Sequence, residues 1–159
     1  MRLLTKPNLC TGCRACEVAC VAHHDGFFGT ATARIKVTKI DVAGVDTPHI
    51  CRLCRRPGCV AACPVDALYQ DALTGIIQLK PEKCIGCADC VEGCPFGVVT
   101  LHVETGLPLM CDLCGGEPAC VKRCAPGAII FADDDANARS KREKLSKTPQ
   151  RPRQKEALR

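Results

Sequence analysis

The run Cys84-Ile85-Gly86-Cys87-Ala88-Asp89-Cys90-Val91-Glu92-Gly93-Cys94-Pro95 places four cysteines as C-x2-C-x2-C-x3-C and closes on proline. Cysteines two residues apart in a tight turn point their sulfurs at neighbouring corners of one small body, and three of them wrap it. The fourth leaves along a helical turn and does not easily curl back. Such a run suits a [4Fe–4S] cube, whose four irons sit at the corners of a tetrahedron and each take one thiolate.

The pattern repeats outward from there. Cys10, Cys13, Cys16 and Cys20 have the same spacing, Cys51, Cys54, Cys59 and Cys63 follow C-x2-C-x4-C-x3-C, and Cys111, Cys114, Cys120 and Cys124 follow C-x2-C-x5-C-x3-C. All sixteen cysteines thus fall into four groups, an internal repeat. In two-cluster ferredoxins the fourth cysteine of such a run ligates the other cube. Each pair of groups is therefore expected to make two cubes with exchanged fourth ligands, and the chain to carry four. Proline follows Cys63 and Cys94, whereas Val21 follows Cys20, and Ala125 follows Cys124 with Pro126 one position later. Zinc is the competing metal, but zinc sites join two C-x2-C pairs across a loop.

Composition agrees with a metal-stapled body. Sixteen of 159 residues are cysteine, aromatics make up 3% and tryptophan is absent, so apolar burial is short for this length. The N-terminus develops no apolar signal core, and no apolar run approaches a membrane span. The expected location is the cytoplasm, where dense cysteine patterns bind metal rather than form disulfides. The formal charge of +5 becomes about −3 once four cubes, each −2 with its thiolates, are added. Of the 22 Lys/Arg, nine lie in 139–159 against two acidic residues, leaving an acidic body with a basic tail.

Ala67–Gln70 and Ile76–Leu79 flank Asp71-Ala72-Leu73-Thr74-Gly75 and read as a hairpin. Further strands are expected at Arg34–Ile40, Val98–Val103 and Ile129–Phe131, with short helical turns just after each group's third cysteine, as at Val60-Ala61-Ala62 and Val91-Glu92. Residues 136–138 suit a short helix, and the remaining tail lacks apolar periodicity. His23, His24, His49 and His102 are surface or supporting groups, with His23 and His24 placed to modulate a nearby cube. Asp133-Asp134-Asp135 reads as a solvated acidic turn.

The order of the four spacings resembles the four-cluster [4Fe–4S] ferredoxin-like family over roughly residues 3–131. Its members are electron-transfer subunits beside molybdenum or tungsten oxidoreductases, hydrogenases and carbon monoxide dehydrogenases. The resemblance implies an α+β fold of two interleaved bacterial-ferredoxin-like modules: an outer half from 1–48 and 104–131, an inner half from 49–103, and an extended basic tail from 132–159. It also implies the ligand sets. Cys10, Cys13, Cys16 and Cys124 hold the first cube; Cys20, Cys111, Cys114 and Cys120 the second; Cys51, Cys54, Cys59 and Cys94 the third; Cys63, Cys84, Cys87 and Cys90 the fourth. The cubes are then expected to form a line. Its short length makes the chain most similar to the small iron–sulfur subunit of tungsten-dependent aldehyde oxidoreductase, with soluble hydrogenase, formate and carbon monoxide dehydrogenase systems as alternatives.

No nucleophilic triad, phosphate loop or dinucleotide fingerprint is present, and a cube ligated by four cysteines has no open position, so the chain is expected to be a non-catalytic subunit. Its partners are a catalytic subunit and a second electron donor or acceptor. Ile85, Val91, Val98, Val60 and Ile129 are expected to exclude water and favour low potentials, against N–H groups freed by Gly12, Gly86 and Gly97. The tail is a candidate bridge to a partner or to a second copy of the chain. A zinc-binding interaction protein with a nucleic-acid-binding tail is the remote alternative, without the aromatic residues that usually accompany such binding.

Overall fold

The protein is described from a computed structural model, over residues 1–40 and 44–132. The basic stretch 139–159, Asp133-Asp134-Asp135 and the helix expected at 136–138 lie outside the described residues. In chain order the elements are β1 (Arg2–Thr5), α1 (Ala15–Asp25), β2 (Lys36–Ile40), β3 (Val45–His49), α2 (Gly58–Ala61), β4 (Leu68–Gln70), β5 (Ile77–Leu79), α3 (Asp89–Glu92), β6 (Thr100–Leu101), β7 (Pro108–Leu109), α4 (Ala119–Arg123) and β8 (Ile129–Ala132). The described strands form four two-stranded antiparallel ribbons, β1–β8, β2–β3, β4–β5 and β6–β7, and no closed sheet. A single ribbon is marginal in water. Each must be held by what it packs on.

The β4–β5 hairpin forms as expected, with Leu68 opposite Leu79 and Gln70 opposite Ile77. Its turn is fixed by Asp71, whose Oδ1 accepts from the N–H groups of Leu73 and Thr74 at 3.1 and 2.7 Å. The strand expected at Val98–Val103 narrows to Thr100–Leu101, because His102 and Val103 already turn back toward β7 and Val103 is exposed. Lys36, not Arg34, opens β2, since the Arg34 N–H is turned out of the ladder toward Cys20 Sγ. β1 and β3 carried no clear strand signal. Pro48 sits within β3, tolerated because the ribbon has a free edge. Ala132 closes β8 opposite Arg2.

The helices start one residue before the third cysteine of each group, at Ala15, Gly58, Asp89 and Ala119, rather than just after it. In the groups with x2-x2-x3 spacing the residue ahead of the helix, Arg14 or Ala88, is left-handed. In the groups with a longer spacer it is Pro57 or Pro118, whose ring fixes φ and leads into the first turn.

Two cores result. One gathers residues from both ends of the chain, including Leu3, Val21, Ile35, Ile50, Leu53, Leu113 and Ile129. The other is drawn mostly from the middle, with Leu68, Ile77, Val91, Val98, Val99 and Met110. Cysteines are part of both, which agrees with the scarcity of large apolar side chains.

Candidate metal centres

The four C-x2-C loops share one backbone device. The residue before the second cysteine is left-handed in each: Gly12 at φ 63°, Leu53 at 46°, Gly86 at 69° and Leu113 at 60°. That conformation turns successive N–H groups inward, toward the place where sulfurs converge. Glycine adopts it freely, but a leucine there is strained by about 1–2 kcal/mol. Leu53 and Leu113 are 2% and 6% exposed, so burial of the side chain, about 1.5–3 kcal/mol each, offsets the strain.

The thiols are brought into mutual influence across groups. Burial raises Cys10, and Asp46, Cys124 and Cys13 raise it further. Burial, then Glu17, Cys120 and Cys10, push Cys16 up to about 12. Burial, then Cys20 and Cys114, push Cys120 to about 12. Burial also raises Cys111, which feels Cys51, Cys120 and Cys20. Burial, then Cys51, Cys94 and Cys54, push Cys59 to about 12, and burial, then Cys87, Cys84 and Cys63, push Cys90 to about 11. Cys63, Cys84, Cys87 and Cys90 line one cavity, and Cys20, Cys111, Cys114 and Cys120 another. The fourth cysteine of a group thus faces thiols of a different group, and Cys16 also feels Cys120 and Cys111 feels Cys51.

Such converging thiols would repel strongly as free thiolates, so the arrangement calls for a cationic centre. The donors fit a [4Fe–4S] cube on a further observation. Arg34 Nε and Nη1 are buried without a hydrogen-bond partner, at the wall of the cavity shared with Cys20, Cys111, Cys114 and Cys120. A cube with its thiolates is anionic and would satisfy them. Backbone N–H groups already reach sulfur, Arg34 to Cys20 Sγ at 3.3 Å and Ala67 to Cys63 Sγ at 3.2 Å. At Cys63 burial is outweighed by N–H groups of Leu68, Val65 and Ala67, and that thiol is lowered.

The histidines divide. His23 is exposed, and His102 Nδ1 accepts from the N–H groups of Glu104 and Thr105 in a turn. His24 sits with Nε2 3.8 Å from Cys114 Sγ and 3.4 Å from Asp112, beside the last group of cysteines rather than the first. Ile85, expected to exclude water, is 65% exposed, because it lies at the tip of its loop. Arg34, Asp46 and Glu17 were not singled out by the sequence. Each is a lone charge far from a cysteine group or inside one, with no spacing that marks it.

A family model described as a 4Fe-4S dicluster domain matches residues 42–134, and one described as a 4Fe-4S binding domain matches residues 7–21. The polyferredoxin-like subunit of aliphatic sulfonate oxidoreductase from Pyrococcus furiosus is 42% identical over 122 residues, 77% of this chain and 70% of that protein. The thiosulfate reductase electron transfer subunit from Salmonella typhi is 35% identical over 142 residues, 81% of this chain and 73% of that one. The formate dehydrogenase-O iron-sulfur subunit of Escherichia coli is 33% identical over 153 residues, 80% of this chain but 51% of its own length. Among the described residues no helix is long and apolar enough to cross a membrane. The chain belongs to the 4Fe–4S ferredoxin-like family, and is homologous to iron–sulfur electron-transfer subunits of oxidoreductase complexes.

Proposed function

We propose that this chain is a relay subunit holding four [4Fe–4S] cubes in a line, between a catalytic oxidoreductase subunit and a second redox subunit or carrier. The sets are Cys10/Cys13/Cys16/Cys124, Cys20/Cys111/Cys114/Cys120, Cys51/Cys54/Cys59/Cys94 and Cys63/Cys84/Cys87/Cys90. Each cube, when bound, takes up one electron and returns it. The observation that carries the proposal is the pattern of thiol exposure: Cys13 and Cys87 are exposed, while the other fourteen are half-buried or buried. Those two belong to the first and last sets. A relay needs electron entry and exit at its ends and insulation between them, and this distribution supplies both.

The side chains divide the labour. Leu53 and Leu113 seal the inner sets while holding their loops in the left-handed turn. Cys59 lies in α2 and Cys63 two residues past its end, its N–H donating to the Val60 carbonyl at 3.0 Å, so this short segment ties two sets together. The exposed Ile85 stands beside Cys87, an apolar contact for a partner at that end.

The catalytic partner is proposed to be a tungsten- or molybdenum-dependent subunit of the aldehyde oxidoreductase type. The likeness to the polyferredoxin-like subunit of an aliphatic sulfonate oxidoreductase supports a catalytic oxidoreductase partner, while the metal and the aldehyde rest on the family resemblance of the cysteine spacings alone. The nine cations of 139–159 would bridge to that partner or to a second copy. Anaerobic coulometric titration tests the relay: four electrons per chain are expected, and an uptake of two or fewer would rule it out. Tagged protein isolated from its native cell tests the partner. Tungsten or molybdenum with an aldehyde-oxidising subunit is expected; a formate dehydrogenase, hydrogenase or carbon monoxide dehydrogenase would replace that assignment.

A further inference from the structure

The first two sets of thiols stand beside charges of opposite sign. At the second, the Arg34 guanidinium has Nε and Nη1 buried and unpartnered. Arg34 lines the cavity shared with Cys20, Cys111, Cys114 and Cys120, and its backbone N–H donates to Cys20 Sγ at 3.3 Å. His24, its side chain 10% exposed, approaches Cys114 Sγ. Asp112 is the opposing charge there, but its side chain is 51% exposed and so better screened. At the first set the signs reverse. The Asp46 carboxylate lies so close to the Cys10–Cys13 loop that a Cβ on Gly12 would meet its Oδ2 at 2.5 Å. Glu17, 3% exposed, adjoins Cys16 and accepts from the Val37 N–H.

We propose that Arg34 holds the redox potential of the group at Cys20/Cys111/Cys114/Cys120 above that of the group at Cys10/Cys13/Cys16/Cys124, which Asp46 and Glu17 hold down. This rests on the ligand sets proposed above. Reduction adds one negative charge in a poorly screened interior, where a guanidinium favours it and a carboxylate opposes it. N–H groups without another acceptor add hydrogen bonds to sulfur, which act in the same direction. An electron entering at the exposed Cys13 end is therefore drawn inward: the first group is reoxidised as the second is reduced, with no further reactant. Arg34 is a positioning charge for that step. With both groups bound, that end would favour passage of an electron inward over its return.

The test is a potentiometric titration followed by electron paramagnetic resonance, on anaerobically purified full-length protein. Wild type, R34Q, R34K and D46N are compared after iron and sulfide have been counted in each. R34Q should move one midpoint to more negative values and leave the other three in place. R34K, which keeps the charge, should restore most of that shift, a rescue that a packing role would not give. D46N should move a different midpoint to more positive values. With iron intact, an R34Q protein whose four midpoints are unchanged, or all shifted together, overturns the proposal, as does an R34K protein that behaves like R34Q. If R34Q does not load, D46N decides, and an unmoved midpoint there overturns the step. A wild type short of iron is a separate failure, because it refutes the ligand sets themselves.

Discussion

The helix pair α2–α3 and the pair α1–α4 solve the same problem differently. Proline after Cys63 and Cys94 accompanies helices of four residues each, Gly58–Ala61 and Asp89–Glu92. These short helices cross at glycines: a Cβ on Gly93 would meet Ala62 Cβ at 2.6 Å and the Gly58 carbonyl at 2.8 Å. Val21 follows Cys20 instead, and α1 runs on for eleven residues to Asp25. The extra turns bury Val21 completely and deliver His24 to Cys114. Without proline after Cys20, α1 runs past its thiol and carries a further side chain to Cys114, whereas α4 still ends at Arg123 with Ala125 after Cys124, so the absence of proline permits a long helix and packing decides it.

Val21→Pro should break this contrast most severely. It places proline inside α1 at a fully buried position, at a cost of about 3 kcal/mol or more. Anaerobic thermal unfolding should show a large fall in Tm, with loss of iron from the sets that share Cys16 and Cys20. Leu113→Gly comes next. It relieves the left-handed strain of about 1–2 kcal/mol but forfeits a buried leucine worth about 2–5 kcal/mol, for a net loss centred on about 2 kcal/mol. A variant more stable than wild type would show that strain, not burial, dominates there. Gly93→Ala should destabilise by about 1–3 kcal/mol through overpacking at the helix crossing. Gly86→Ala, where the added methyl meets nothing within 4 Å, should lose only the left-handed penalty of about 1 kcal/mol.

Much of this is legible in the sequence. The cysteine spacings marked the four loops, and Asp71 to Gly75 marked the hairpin between groups two and three. The missing proline after Cys20 was visible too, but not its consequence, because helix length depends on packing by Val21. β1 was hidden because Arg2–Thr5 pairs with Ile129–Ala132, at the other end of the described chain, and so carries no local turn signal. Arg34 was hidden for a similar reason. It lines one cavity with Cys20 and Cys114, which are separated in sequence and joined only when the first and last groups meet. Local spacing announces ligands; the charges that tune them come from tertiary closure.

A smaller effect separates individual thiols by pH. Thiols raised toward 11–12, such as Cys16, Cys90 and Cys120, hold their protons more tightly in the folded chain than at the ordinary thiol value of 9.0. Iron must displace those protons, so loading should weaken progressively as pH falls through the neutral range. Cys63, lowered by its backbone N–H groups, should oppose loading less. Reconstitution of metal-free protein at several pH values, read by bound iron, measures the slope. A yield indifferent to pH would contradict the burial of these thiols.

The most direct measurement is the iron and acid-labile sulfide content of protein purified without oxygen. Sixteen of each per chain, one iron for every cysteine, is the expected result. Eight or fewer, or zinc in place of iron, would contradict the relay of four cubes.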